Sequence, residues 1–264
     1  MFNTILVYPL MNILIAIYGI LPGHDFGISV IILTLIIRLI LWPLAGKQLH
    51  SQKKMQALQP DIARIKKEAD GDRQKESQLL MALYKEKEVN PFSSCLVTLV
   101  QLPFLLALFV VFSETAKGAE QIIPHLYPWV ASIPFIKEMV ANPANFDPTL
   151  FGLVSMAKPS VVLAILAGIG QYLQVKMITP AVPKGNKDPQ AQVTAMMVYL
   201  FPIITVVIAW RLPAALPLYW LTTNVVAIIQ QKLIADKEVE VMEEAPVVTV
   251  KKPATPKKKK RSKK

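Results

Sequence analysis

Ile31-Ile32-Leu33-Thr34-Leu35-Ile36-Ile37-Arg38-Leu39-Ile40-Leu41-Trp42-Pro43 is the stretch whose reading decides what kind of protein this is. It belongs to a longer apolar run, Phe26–Ala45, of the roughly 20 residues that a helix needs to cross hydrocarbon while satisfying its own backbone hydrogen bonds. Arg38 is the one charged residue in that run. An arginine at membrane depth costs about 2.5–3.5 kcal/mol on insertion scales, so it normally faces protein or water and marks function. Arg38 stands seven residues before Ala45, roughly 10 Å at about 1.5 Å per residue. Its side chain therefore just reaches the interface, and snorkelling is the bland reading. A hydrated cavity is the sharper one, favoured by Thr34 one turn earlier on the same face.

Four further runs have the same character: Phe92–Phe112, Pro159–Thr179, Val193–Trp210 and Ala214–Ile234, the last two a tight pair around Arg211-Leu212-Pro213. With 53% hydrophobic and 18% charged residues in 264, the chain is too apolar for an ordinary soluble domain. The fold class expected is an all-α integral membrane protein with five transmembrane helices. The single cysteine, Cys95, excludes an internal disulfide. Ile5–Leu21 is also apolar, but it is interrupted by Pro9 and Asn12 and lacks the positive start and cleavage site of a signal peptide. Pro22-Gly23 followed by His24 and Asp25 reads as a polar elbow. Residues 1–22 are expected to form an interfacial amphipathic helix, with a sixth span as the alternative.

Positive charge sets the sidedness. Of 29 Lys and Arg residues, 24 fall in 47–90, in the stretch from Lys176 to Gln192, or from Lys232 onward. Placing those segments in the cytoplasm satisfies the positive-inside rule, with the N-terminus outside and the C-terminus inside. Tyr127, Trp129, Trp210, Tyr219 and Trp220 then fall near the outer interface as aromatic anchors. The units expected are spans over 23–46, 91–112, 159–179, 193–211 and 212–234, an extracytoplasmic loop over 113–158 and a cytoplasmic loop over 180–192.

Residues 47–90 change character abruptly, with Met55, Leu58, Ile62 and Ile65 at helical spacing among Lys, Arg and Gln. Asp70-Gly71-Asp72 reads as a turn, and Leu79, Leu80, Leu83 and Tyr84 share a face beyond it. A cytoplasmic helical hairpin follows, in which Pro60 must kink the first helix or begin a new one. The 113–158 loop is proline-rich and expected to be irregular, with short helices at most. Residues 235–264 end in a run of Lys and Arg whose self-repulsion opposes packing, a disordered basic arm.

None of the 18 Asp and Glu residues falls inside an apolar run, so Arg38 has no intramembrane counter-ion and the carboxylate relay of a coupled transporter is missing. Uncharged polar residues are available instead: Gln101, Gln171, Gln174, Thr222, Thr223, Asn224 and Gln230. Taken singly, each reads as a helix–helix hydrogen bond; taken together, they are the polar walls of a groove suited to polar or acidic peptide segments. His24, His50 and His125 are scattered without metal-ligand spacing, and there is no nucleophile elbow or phosphate loop. No enzyme activity, metal or cofactor is expected. The rival readings are a small-solute transporter or channel and an assembly scaffold without insertion activity.

The order of motifs resembles the YidC/Oxa/Alb family of membrane-protein insertases. The strings that carry it are Arg38 with Trp42-Pro43-Leu44, Leu58-Gln59-Pro60, Met81-Ala82-Leu83-Tyr84-Lys85, Val89-Asn90-Pro91 and Gln101-Leu102-Pro103. Further on come Phe201-Pro202, Leu218-Tyr219, Thr223-Asn224 and Ile228-Ile229-Gln230-Gln231. The resemblance implies five helices around a hydrophilic groove open to the cytoplasm and lipid, with Arg38 as the groove arginine. It also implies substrate contacts at Thr34, Gln101, Tyr219, Trp220, Thr223 and Asn224. The partners implied are nascent membrane proteins, the Sec translocon and the targeting machinery. Lys257, Lys258, Lys259, Lys260, Arg261, Lys263 and Lys264 resemble a ribosome-binding tail; the same charges suit ribosomal RNA phosphates or anionic lipid. The large periplasmic domain and extra first span of some members, and the lipoprotein cysteine of others, have no counterpart in this sequence.

Overall fold

The computed structural model describes residues 1–87, 89–90, 93–179 and 189–244. The basic run from Lys257 to Lys264 and the loop residues 180–188 lie outside the described residues. Within them the protein is all-α apart from one short hairpin.

The first helix, α1 (Tyr8–Ile20), continues a π-helical turn over Asn3–Val7. Pro9 stands at the start of the α-helical part, where its missing N–H would be unbonded in any case. Asn3–Ile20 as a whole is 18 residues long with mean hydropathy 1.6, and half of it is buried against the rest of the protein. That length is about 27 Å, close to the roughly 30 Å of a hydrocarbon core. The expectation for this segment was an interfacial helix.

Helix α2 (Phe26–Ile40) is capped by Asp25, whose carboxylate accepts from the Ile28 N–H at 2.8 Å. It does not run on to Ala45. The chain breaks at Leu41 and α3 (Trp42–Ala57) leaves at 66°. Pro43 explains the break, since it offers no N–H to the preceding turn and its ring crowds the carbonyl four residues back. Next, α4 (Gln59–Ala69) begins anew at Pro60. Asp70 in the left-handed region and Gly71 at φ +85 then make the turn into α5 (Arg73–Glu86). Leu58, Ile62 and Val89, backed by Met55, Leu80, Leu83 and Tyr84, form the small core of this α4–α5 hairpin.

Helix α6 (Ser93–Lys117) leads into a connection of short elements: α7 (Ala119–Ile122), α8 (Pro128–Ala131), α9 (Pro134–Ala141) and the strands β1 (Thr149–Leu150) and β2 (Val154–Ser155). The main core joins this connection to α1, α2, α6 and the start of α12 (Ala215–Glu244). Tyr18 is its hub, with Phe26, Phe135 and Phe146 edge-on around it at 5.5–5.8 Å. Asn12 ties α1 to the connection. Its amide donates to the Tyr8 and His125 carbonyls and its oxygen accepts from the Tyr127 N–H, so a fully buried polar residue is fully bonded.

Helices α10 (Val161–Ile178) and α11 (Pro189–Ala209) complete the bundle, α10 packing against both α11 and α12. Gly168 permits the close approach to α11, because a Cβ there would run into Val206 and the Pro202 carbonyl. The far faces of these helices are bare apolar side chains, among them Val162, Ile203 and Val207, each more than half exposed. Such faces are stable where hydrocarbon is the solvent.

Candidate functional site

The break at Leu41 sets the site. It turns α3 across the end of the bundle, so that a polar helix closes over a gap that a straight α2 would leave to lipid. Residues far along each helix from the 119–158 connection meet there. Arg38 lies about 18 Å along α2 from Phe26, Gln230 about 22 Å along α12, and Gln101 about 24 Å back along α6 from Lys117. They line a half-open cavity of about 310 Å³, roomy and polar enough to hold water.

Arg38, Gln101, Gln171, Gln174, Gln230 and Gln231 line this cavity, joined by Gln48 and Gln52 from α3. Leu49, Ala45 and Ala227 supply the apolar part. Among the described residues the walls carry one positive charge and no carboxylate. Arg38 Nη2 donates to the Thr223 carbonyl at 3.2 Å, while its Nε is buried with no hydrogen-bond partner among the described residues. The side-chain oxygen of Gln231, a residue 7% exposed, is likewise buried without a protein partner. Buried polar groups are seldom left so; here two of them sit on one hydrophilic cavity.

Of the residues singled out in the sequence, Arg38, Gln101, Gln171, Gln174 and Gln230 line the cavity, and Thr223 supports Arg38 through its backbone. Thr34, Tyr219, Trp220 and Asn224 do not line it. Thr34 is buried with its hydroxyl donating to the Val30 carbonyl of its own helix at 2.7 Å. Asn224 clasps α10, its Nδ2 donating to the Ala167 carbonyl at 3.2 Å beside Gly170. Tyr219 belongs to the main core, its ring 6.4 Å from that of Phe112, and half-buried Trp220 packs on the same core. Tyr219 is thus an internal packing residue and not the exposed interfacial anchor its position in the sequence suggested, because α12 begins packed against α6. Gln230 both lines the cavity and donates to the Trp42 carbonyl at 3.1 Å, bracing the start of α3.

Gln231 was missed as a wall residue beside Gln230, and so were Gln48 and Gln52 of α3. The latter two sit in a stretch that looks like a solvated cytoplasmic helix. The signal was present as the i, i+4 spacing of Gln48, Gln52 and Gln56, which places all three on one face.

A family model described as the 60Kd inner membrane protein matches residues 16–241. The chain is 39% identical over 213 residues to the membrane protein insertase YidC of Fusobacterium nucleatum subsp. nucleatum, covering 81% of this chain and 87% of that one. It is 33% identical over 238 residues to the membrane protein insertase MisCA of Bacillus subtilis, covering 89% and 79%. Among solved structures, an active YidC insertase with its first transmembrane domain resolved aligns at 25% identity with a TM-score of 0.46. That alignment covers 79% of this chain and 41% of the other.

Proposed function

Because the chain belongs to the 60Kd inner membrane protein family of bacterial membrane-protein insertases, we propose that it inserts nascent membrane proteins through the cavity around Arg38. The observation that carries this reading is a single cation, without a carboxylate partner, on a glutamine-walled cavity in a bundle whose far faces are apolar. A polar segment entering hydrocarbon loses its hydrogen bonds to water, at several kcal/mol per unsatisfied group. A hydrated notch reaching into the bundle shortens the stretch over which that cost is felt. Arg38 adds attraction for an acidic or polar segment, and no covalent step is needed. Partitioning of the substrate's apolar span into lipid drives the process.

The five spans of this reading are α2, α6, α10, α11 and α12. The cavity shares its end of the bundle with the 47–90 segment, which carries ten of the 29 Lys and Arg residues, and in this reading the positive-inside rule puts that end in the cytoplasm. The N-terminus then faces out and the C-terminus in. In this reading the hairpin meets the targeting machinery and the Sec translocon. The Lys257–Lys264 run offers salt-sensitive affinity for ribosomal RNA, with anionic lipid as its competitor.

The test is insertion of a single-span protein with a short acidic outer tail into liposomes holding purified wild type or Arg38→Ala, scored by protease protection. Protection with wild type and its loss with Arg38→Ala is expected. No protection with either overturns the reading in favour of a scaffold or a solute transporter.

A further inference from the structure

The cavity reads backbone as well as charge: we propose that its glutamines form an amide track that hydrogen-bonds the peptide groups of an extended substrate segment, whatever its side chains. The inference rests on the insertase reading above and concerns what the same cavity recognises. Charge capture needs Arg38 alone, yet carboxamides face the cavity from α3, α6, α10 and α12. A carboxamide is the side-chain copy of a peptide group, with a donor and an acceptor that exchange places when it turns over. A wall of them matches the N–H and C=O of any sequence. Ionised carboxylates would match only the N–H, having no donor for the C=O.

The geometry suits a chain more than a small solute. Gln48 and Gln52 line the main cavity, while Gln52, Gln56 and Gln231 line a second space of about 90 Å³ directly beside it. The stripe from Gln48 to Gln56 is about 12 Å long, the length of roughly four residues of extended chain at about 3.3 Å each. Gln231 lines both spaces, and its side-chain oxygen is buried without a hydrogen-bond partner among the described residues. A turn of the side chain would present that spare acceptor to a substrate N–H. Meeting each peptide group in this way offsets the cost of removing it from water.

The test is a double-mutant cycle between the wall and the substrate backbone. The probe is a semisynthetic single-span protein with a neutral Ser/Gly outer tail, made with ordinary amides or with four consecutive N-methyl amides that cannot donate. Insertion of each is measured in liposomes with wild type and with Gln171→Leu/Gln174→Leu. The substitution is expected to reduce insertion of the ordinary tail about tenfold, and of the N-methylated tail by less than about threefold, since groups with no donor have less to lose. Equal losses for the two tails, or none, overturn the inference and leave the insertase reading standing. Failure of wild type with both tails overturns the two together. Should the α10 pair fail to accumulate in the membrane, Gln48→Leu/Gln52→Leu on half-exposed positions of α3 makes the same comparison.

Discussion

Arg38 donates to the backbone carbonyl of Thr223 across a sequence separation of 185 residues, at 3.2 Å. This bond ties α2 to α12 through a backbone oxygen, which carries no formal charge to neutralise the guanidinium.

That arrangement separates charge from shape. Arg38→Ala is expected to reduce insertion of an acidic-tailed substrate about tenfold relative to a neutral-tailed one, a difference of ~1.4 kcal/mol. Arg38→Lys keeps the charge but has no planar fork to hold the Thr223 carbonyl and a substrate together. It should fall between wild type and Arg38→Ala when the two tails are compared in the same liposomes.

Asn12→Leu preserves approximate size but strands the Tyr127 N–H and the His125 carbonyl inside the core. A buried group left unsatisfied costs about 1–3 kcal/mol. The variant should unfold at a measurably lower temperature in detergent.

Gly168→Leu places a side chain where a Cβ alone meets Val206 and the Pro202 carbonyl. Overpacking of this kind costs about 1–3 kcal/mol. The expected result is a lowered unfolding midpoint, and pairing the change with Val206→Ala should recover part of it.

Asp25 caps α2 through the Ile28 N–H and also accepts from the Phe151 N–H of the β1–β2 hairpin. Asp25→Ala removes both bonds, at about 1 kcal/mol for the cap alone. Amide exchange at Ile28 and across 149–155 should accelerate together, whereas Asp25→Asn should leave exchange at Ile28 near wild type.

Much of this protein was readable along the chain, for reasons that are local. Pro60 marks a helix start because proline lacks an N–H wherever it stands, whereas Pro43 was read inside the first span, which the structure ends at Ile40. Asp70-Gly71 marks a turn because those residues tolerate the left-handed region. The site was readable only in part. Arg38 announces itself by charge at depth, but Thr34, one turn away, is spent on its own helix at Val30. Gln48 and Gln52 gave the opposite error, since a glutamine in a basic amphipathic helix looks solvated until that helix is seen folded across the cavity.

Sequence alone determined the solvent and the charge plan of this protein: apolar runs of span length commit it to the bilayer, and clustered Lys and Arg mark one side of it. Both follow from transfer free energies that each segment carries by itself. Tertiary structure alone decided which polar residues meet around Arg38. That depends on the 66° turn at Leu41, on the approach of α11 to Gly168 and on the clasp of Asn224 on α10. Those contacts rotate each helix about its axis, and the facing of a side chain is a property of the packed pair, which no single helix carries.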